Sequence, residues 1–165
     1  MSSFKITFAL LGALALSACD SDGFGGSNGS NGDNGISTSA LDPASVEYFN
    51  QTIGDTILFE VDQSTLTSAA LALLDRQAAW LLNNPGRSIL IEGHADEQGT
   101  REYNLALGAR RAAAVQQYLV TRGLTDDRLS TITYGKERPL AVCSDEACWS
   151  KNRRAVTVVQ GGLGS

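Results

Sequence analysis

Apolar residues recur at helical spacing in two long stretches of this chain and crowd into four short ones. Between Leu66 and Leu82 the apolar positions Leu66, Ala69, Leu73, Leu74, Ala78 and Leu81 share one face of a helix. Asn83-Asn84-Pro85-Gly86 then stops it. The second long pattern runs from Arg101 to Arg122, with Leu105, Ala112, Val115 and Leu119 on its apolar stripe and Gly123 suited to its C-terminal cap. The short runs Thr56–Val61, Ser88–Gly93, Arg128–Tyr134 and Arg154–Gln160 read as strands. A short helix is predicted over Ala44–Asn50, with Asp42 as its N-cap and Pro43 in its first position. Asp145–Ser150 has room for one helical turn, and the terminal GGLGS is expected to fray. The order is strand, helix, strand, helix, strand, strand. Both long helices need a surface for their stripes. The expected fold is therefore an α/β (α+β) sandwich, with two long helices on one face of a small mixed four-stranded sheet.

The ends of the chain change this picture. Met1–Lys5 gives a short basic start and Ile6–Leu16 an apolar run of secretory length, too short to span a bilayer stably. Leu16-Ser17-Ala18-Cys19 looks like a bacterial lipobox, which predicts a signal peptide over 1–18 and an acylated Cys19. Two or more acyl chains anchor stably where one does so only marginally. Ser21–Asn34 is Gly, Ser and Asn with almost nothing apolar, so residues 19–41 read as the lipidated cysteine and a flexible tether. Such a tether reaches about 25 Å by square-root scaling. Fully stretched it reaches about 70 Å. Residues 42–165 are left as one globular domain. Loss of the leader removes Lys5 and takes the formal charge from −5 to −6. An acidic chain without a basic tract argues against nucleic acid as a partner. Cys143 and Cys148 are then a pair in an exported protein, where disulfides persist, and are expected to bond. Two cysteines without clustered histidines make a poor zinc site, and no metal or cofactor is expected.

The candidate chemistry lies where the second strand meets the second long helix. Ile91–Leu124 reads IEGHADEQGTREYNLALGARRAAAVQQYLVTRGL. Asp96 stands just before the helix, and the helix start near Thr100 adds free N–H donors. Asn104, Leu107 and Arg111 follow one margin of the apolar stripe, so they are expected to edge a groove. A carboxylate can pair with an ammonium, and an arginine can hold a carboxylate in a bidentate fork. Together they suit a zwitterion, an amino-acid centre with both groups free. Plainer readings stand beside this one. Asp96 could cap its loop, and Arg111 could be a surface charge. Arg101, Glu102 and Arg110 read as solvated, and His94 as a hydrogen-bonded structural residue.

The same stretch resembles the OmpA-like domain family, and within it the peptidoglycan-associated lipoproteins of Gram-negative bacteria. The likeness runs from about Thr56 to Val159. Tyr134-Gly135 with Lys136-Glu137-Arg138-Pro139, and Trp149-Ser150-Lys151-Asn152-Arg153-Arg154-Ala155, extend it. One departure is Val61, where those proteins usually carry an aromatic. The resemblance implies peptidoglycan as the ligand, gripped at the meso-diaminopimelate of its stem peptides by Asp96 and Arg111. It implies further contacts at Asp62, Thr100 and Leu107. Arg153 or Arg154 would pair with acidic loop residues and fix the groove wall, and Gly135 and Pro139 would mark a turn. It also implies TolB and the other Tol proteins as partners, a role in division, and a lipid anchor on Cys19 in the outer membrane facing the periplasm. Asp20, directly after Cys19, favours inner-membrane retention under the enterobacterial sorting rule.

Two other functional classes compete. A wall hydrolase would have to work with His94, Asp96, Glu97 and Glu102, and one histidine among carboxylates is poor material for a metal site. The GxSxG string Gly25-Gly26-Ser27-Asn28-Gly29 falls in the tether, without the strand and helix that a nucleophile elbow needs. An OmpA-like adaptor of another envelope complex would keep wall binding and dispense with TolB. The expectation is a non-enzymatic anchor.

Overall fold

The computed structural model describes residues 41–161. The predicted leader, Cys19, nearly all of the tether and residues 162–165 lie outside them. The first element of the described residues is α1 (Val46–Tyr48), which runs into a π-turn over Phe49–Ile53. Then come β1 (Thr56–Leu58), α2 (Ser68–Asn83), β2 (Ser88–His94) and α3 (Arg101–Thr121). A 3₁₀ turn over Asp126–Arg128 leads into β3 (Leu129–Gly135), α4 (Glu146–Asn152) and β4 (Arg154–Gln160). The strand order is β1-β4-β2-β3. β4 is antiparallel to both β1 and β2, and β2 is parallel to β3. Both long helices pack on one side, as their apolar stripes require. Alternation along the strands sends Ile57, Ile89, Ile91, Ala155 and Val159 into the core with Leu74, Leu81, Val115 and Leu119.

Several element boundaries differ from the sequence expectation for identifiable reasons. Ser45, not Asp42, caps the first helix by accepting from the Tyr48 N–H at 3.0 Å. The Asp42 carboxylate is spent on the Ala44 N–H in a preceding turn. The stripe of α2 sits one residue later at its start, because Thr67 is the N-cap and Ala70, not Ala69, is buried. β1 ends at Leu58 instead of Val61. Beyond it the carbonyls of Glu60 and Gln63 turn toward Arg111 rather than toward β4. Asp62 sits in that turn with φ of 55°, a left-handed conformation that Asp tolerates better than most residues. α4 is longer than one turn, with Asp145 as its N-cap.

Gly93 in β2 and Gly108 in α3 face each other across the helix–sheet interface. A Cβ on Gly93 would lie 1.9 Å from the Gly108 carbonyl oxygen. Two missing side chains therefore let the N-terminal half of α3 lie directly against the sheet. Thr133 Oγ1 bridges from β3 to the Leu105 carbonyl at 3.0 Å. A second buried polar contact locks α2 to the sheet: Thr157 donates to Gln77 Oε1 at 2.9 Å and Gln77 Nε2 donates to the Gly54 carbonyl at 2.7 Å. Cys143 and Cys148 form a disulfide with Cα atoms 5.7 Å apart. So short a loop constrains the unfolded chain by only about 2 kcal/mol. Its larger effect is local, on the loop that enters α4.

Candidate functional site

The inner strand β2 delivers His94, Ala95 and Asp96 to the end of the sheet, and the Ala95 N–H donates to the Gly135 carbonyl at 2.8 Å. The loop Asp96–Gly99 then turns into α3. Three side chains hold that loop. Asn104 Nδ2 donates to the Gln98 carbonyl at 2.8 Å, and Lys136 Nζ donates to the Gly99 carbonyl at 2.7 Å. Trp149 donates its indole N–H to Glu97 Oε1 at 3.1 Å. Asp96 itself is 8 % exposed. One carboxylate oxygen accepts from the Gln98 N–H at 3.2 Å, and the other from Arg153 Nη1 at 3.2 Å. Asp96 thus caps its loop and still keeps lone pairs for a further donor.

Arg111 is the largest fully buried side chain among the described residues, at 0 % exposure. Its Nε donates to the Gln63 carbonyl at 2.8 Å, Nη1 to the His94 carbonyl at 2.9 Å and Nη2 to the Glu60 carbonyl at 3.1 Å. The Phe59 ring lies 5.2 Å from the guanidinium carbon. Burial lowers its pKa to about 10, partly offset by the Asp96 charge, so it stays cationic at neutral pH. Guanidinium has five N–H groups, so one on each terminal nitrogen is left for a ligand. The sequence expectation of a fork open at a groove edge needs correcting. The fork is tied to the Glu60–Gln63 turn and is covered by it.

The other expected contacts divide by exposure. Asp62 is exposed and accepts from the Tyr103 hydroxyl at 3.3 Å; it is a rim residue and not the N-cap of α2, which is Thr67. The Thr100 hydroxyl is the N-cap of α3, accepting from the Tyr103 N–H at 3.2 Å. Asn104 is 1 % exposed and serves the loop from beneath. Leu107, at 3 % exposure, is buried under the site but outside the main core cluster. Arg101, Glu102 and Arg110 are exposed, with Arg101 pairing Glu137 across the surface.

Of the two arginines before β4, Arg153 is the one that faces the acids. It is 3 % exposed and bonds Asp96 and both oxygens of Glu146. These bonds, chiefly the one to Glu146, raise its pKa and hold the Glu146 carboxyl below the usual carboxylate range. Arg154 instead donates to the Arg138 carbonyl at 3.2 Å. Glu146 is not singled out by the sequence, and Trp149 and Lys136 enter only as members of the quoted motifs, with no site role. Glu146 and Arg153 are seven apart, a helical face-sharing interval that could have signalled the pair. A cavity of about 240 Å³ lies beside them, lined by Phe59, Glu60, Thr67, Glu146 and Arg153 among others.

His94 departs from expectation. It is 2 % exposed, and neither ring nitrogen has a hydrogen-bond partner among the described residues. Its nearest carboxylate, Glu92, stands 3.7 Å from Nε2, and the ring packs on Tyr134 with centroids 5.5 Å apart. Burial first, then the charges of Arg154 and Arg138, lower its pKa to about 4. The folded value lies below the ordinary value of 6.5, so the fold favours the neutral ring. Stability is then full above about pH 6.5 and falls as pH drops toward 4, by about 2–3 kcal/mol from this group. Urea unfolding from pH 8 to 4 is expected to show that loss, and His94→Phe to flatten it. An unchanged profile in the variant would remove His94 as the cause.

A mixed four-stranded sheet with both long helices on one face, and a buried Asp–Arg cluster where β2 passes into α3, defines an OmpA-like α/β sandwich. The chain belongs to the OmpA family, whose match spans residues 58–153. It is 52 % identical to the peptidoglycan-associated lipoprotein of Rhizobium meliloti, over 97 % of this chain and 89 % of that protein. The peptidoglycan-associated lipoprotein of Brucella abortus is 49 % identical over 94 % of this chain and 92 % of its own. Among solved structures, that of the Burkholderia pseudomallei peptidoglycan-associated lipoprotein superposes with a TM-score of 0.67 at 40 % identity, over 72 % of this chain and 100 % of that one. The C-terminal domain of Helicobacter pylori MotB shares the fold with a TM-score of 0.61 at 22 % identity, covering 66 % of this chain and 86 % of that one.

Proposed function

We propose that this protein is a non-enzymatic envelope anchor that binds peptidoglycan non-covalently through the diaminopimelate of its stem peptides. The observation that carries the reading is the Asp96–Arg111 cluster. A nearly buried carboxylate with spare lone pairs lies in the field of a buried guanidinium that keeps two N–H groups. The ammonium of the ligand's free amino-acid centre pairs with Asp96. Its carboxylate reaches Arg111 once the Glu60–Gln63 turn, with Asp62 on its rim, moves aside. Leu107 forms the floor, while Thr100 and Asn104 hold the loop and helix start in place. The names and identities of the relatives support the polymer as the ligand.

The same kinship supports the rest of the assignment. Cys19 carries the lipid, residues 20–41 give the domain its reach, and the protein works with TolB and the other Tol proteins at the outer membrane during division. Asp20 makes the inner membrane the alternative site. The buried ring of His94 does not suit it to serve as an exposed base, which favours a binder over a hydrolase.

The test is sedimentation of the full chain, in detergent, with purified diaminopimelate-type peptidoglycan. Asp96→Asn keeps the shape and removes the charge. It is expected to weaken binding by about 2–3 kcal/mol, roughly 30- to 150-fold. Free meso-diaminopimelate should compete for the parent protein. Full binding by a folded Asp96→Asn variant would overturn the clamp, and release of muropeptides would revive the hydrolase.

A further inference from the structure

We infer that the Cys143–Cys148 disulfide is a positioning element of the ligand site, and that it makes peptidoglycan binding sensitive to thiol–disulfide exchange. The inference rests on the Asp96–Arg111 reading above. α4 has only seven residues, too few to hold a helix unaided. Three devices hold it. Asp145 caps its start, accepting from the Ala147 N–H at 2.9 Å. Asn152 at its end accepts from the Leu140 and Ala141 N–H groups at 2.8 and 3.0 Å and donates to the Ala141 carbonyl at 2.8 Å. The disulfide ties Cys148, in the helix, to Cys143 in the incoming loop.

What α4 carries is the reason this matters. Glu146 bonds Arg153, Trp149 bonds Glu97 in the Asp96 loop, and the Trp149 carbonyl accepts the Arg153 N–H at 3.0 Å. Arg153 has two carboxylates to serve, Asp96 at 3.2 Å and Glu146. Glu146 supplies much of the negative charge that this buried cation needs. Asp96 is thereby left with charge to offer an incoming ammonium. If the start of α4 loosens and the exposed Glu146 carboxylate swings away from Arg153, the guanidinium has only Asp96 to neutralise it. The guanidinium then competes with the ligand for the same oxygens, and affinity falls. Both cysteines are half-buried, within reach of a dithiol. Exchange with a dithiol breaks the Sγ–Sγ bond and leaves two thiols. The dithiol supplies the two electrons and two protons and becomes a disulfide.

The experiment is peptidoglycan sedimentation of the full chain in five forms: oxidised, dithiothreitol-reduced, Cys143→Ser/Cys148→Ser, Glu146→Gln, and Glu146→Gln combined with Cys143→Ser/Cys148→Ser. The second and third are expected to bind about tenfold more weakly than the first while retaining the parent's circular dichroism. Glu146→Gln should lose a similar factor, and removing the disulfide from it should cost nothing more. That lack of additivity is a result general loosening would not give. Equal binding by the oxidised and reduced forms, or additive losses with Glu146→Gln, would overturn the inference and leave the clamp standing. No binding by the oxidised parent would overturn the clamp itself, and the inference with it.

Discussion

Arg111→Leu is expected to lower the stability of the domain by about 3 kcal/mol, and the unfolding midpoint by roughly 10–15 °C. It should also abolish peptidoglycan binding. The magnitude follows from what the guanidinium holds. It bonds three main-chain carbonyls, on Glu60, Gln63 and His94. Glu60 and Gln63 are exposed residues, so water can replace part of what they lose. The His94 carbonyl is buried and cannot be rehydrated cheaply, and an orphaned buried acceptor costs about 1–3 kcal/mol. Loss of the stacking on Phe59 adds to it, and leucine restores some apolar contact. The Glu60–Gln63 turn should also loosen, since its geometry has no ladder of its own. Arg111→Lys keeps the charge, but a single ammonium cannot span three diverging carbonyls, so it should recover only a minor part. Thermal unfolding and wall sedimentation of the two variants check this. A midpoint for Arg111→Leu within a degree of the parent would show the three bonds to be energetically idle.

That prediction rests on contacts the sequence could not display. The helical period of α3 was legible, and so was the clustering of Asp96 and Arg111, because both depend on which residue stands at which interval. Arg111's acceptors do not. They are backbone carbonyls 48, 51 and 17 positions away, and a carbonyl leaves no mark on residue identity. For the same reason β1 looked longer than it is: Phe59, Glu60 and Val61 have strand-like composition, but the carbonyls that would extend the ladder are turned toward a cation. His94 was misread in the opposite sense. A polar residue at a strand end ordinarily finds a partner, and here the nearest carboxylate, on Glu92, stops 3.7 Å short of Nε2 while Arg138 and Arg154 crowd the ring with like charge. Thr100 stands at the start of α3 as the pattern indicates, but Asn104 and Leu107 are buried beneath the loop instead of edging a groove. The polar atoms of Thr100 and Asn104 satisfy the N-cap and the Gln98 carbonyl, the local debts of a helix start.

The site's geometry also depends on two residues with no side chain at all. Gly93→Ala is expected to cost about 4 kcal/mol or more, a large share of the roughly 5–15 kcal/mol that holds an ordinary domain folded. Its new Cβ would sit 1.9 Å from the Gly108 carbonyl oxygen and 2.6 Å from that carbonyl carbon. Backbone cannot rotate away as a side chain can, so α3 must lift off β2 by more than an ångström. The lift would stretch the Thr133–Leu105 bridge, the Asn104 anchor on the Asp96 loop and the bond from Arg111 to the His94 carbonyl. Gly108→Ala meets Thr133 Oγ1 at 2.5 Å and the Gly93 oxygen at 2.9 Å. The hydroxyl can turn aside, which leaves α3 only the milder backbone approach to Gly93 to relieve, so the cost should be smaller, about 2 kcal/mol. Gly86→Ala has nothing within 4 Å and should fall within about 0.5 kcal/mol of the parent. Chemical denaturation of the three variants should therefore rank Gly93 worst, Gly108 next and Gly86 neutral. Were Gly93→Ala as stable as Gly86→Ala, the helix would not be seated on the sheet at this point. Asp96 and Arg111 would then owe their proximity to some other restraint than the close approach of α3 to β2.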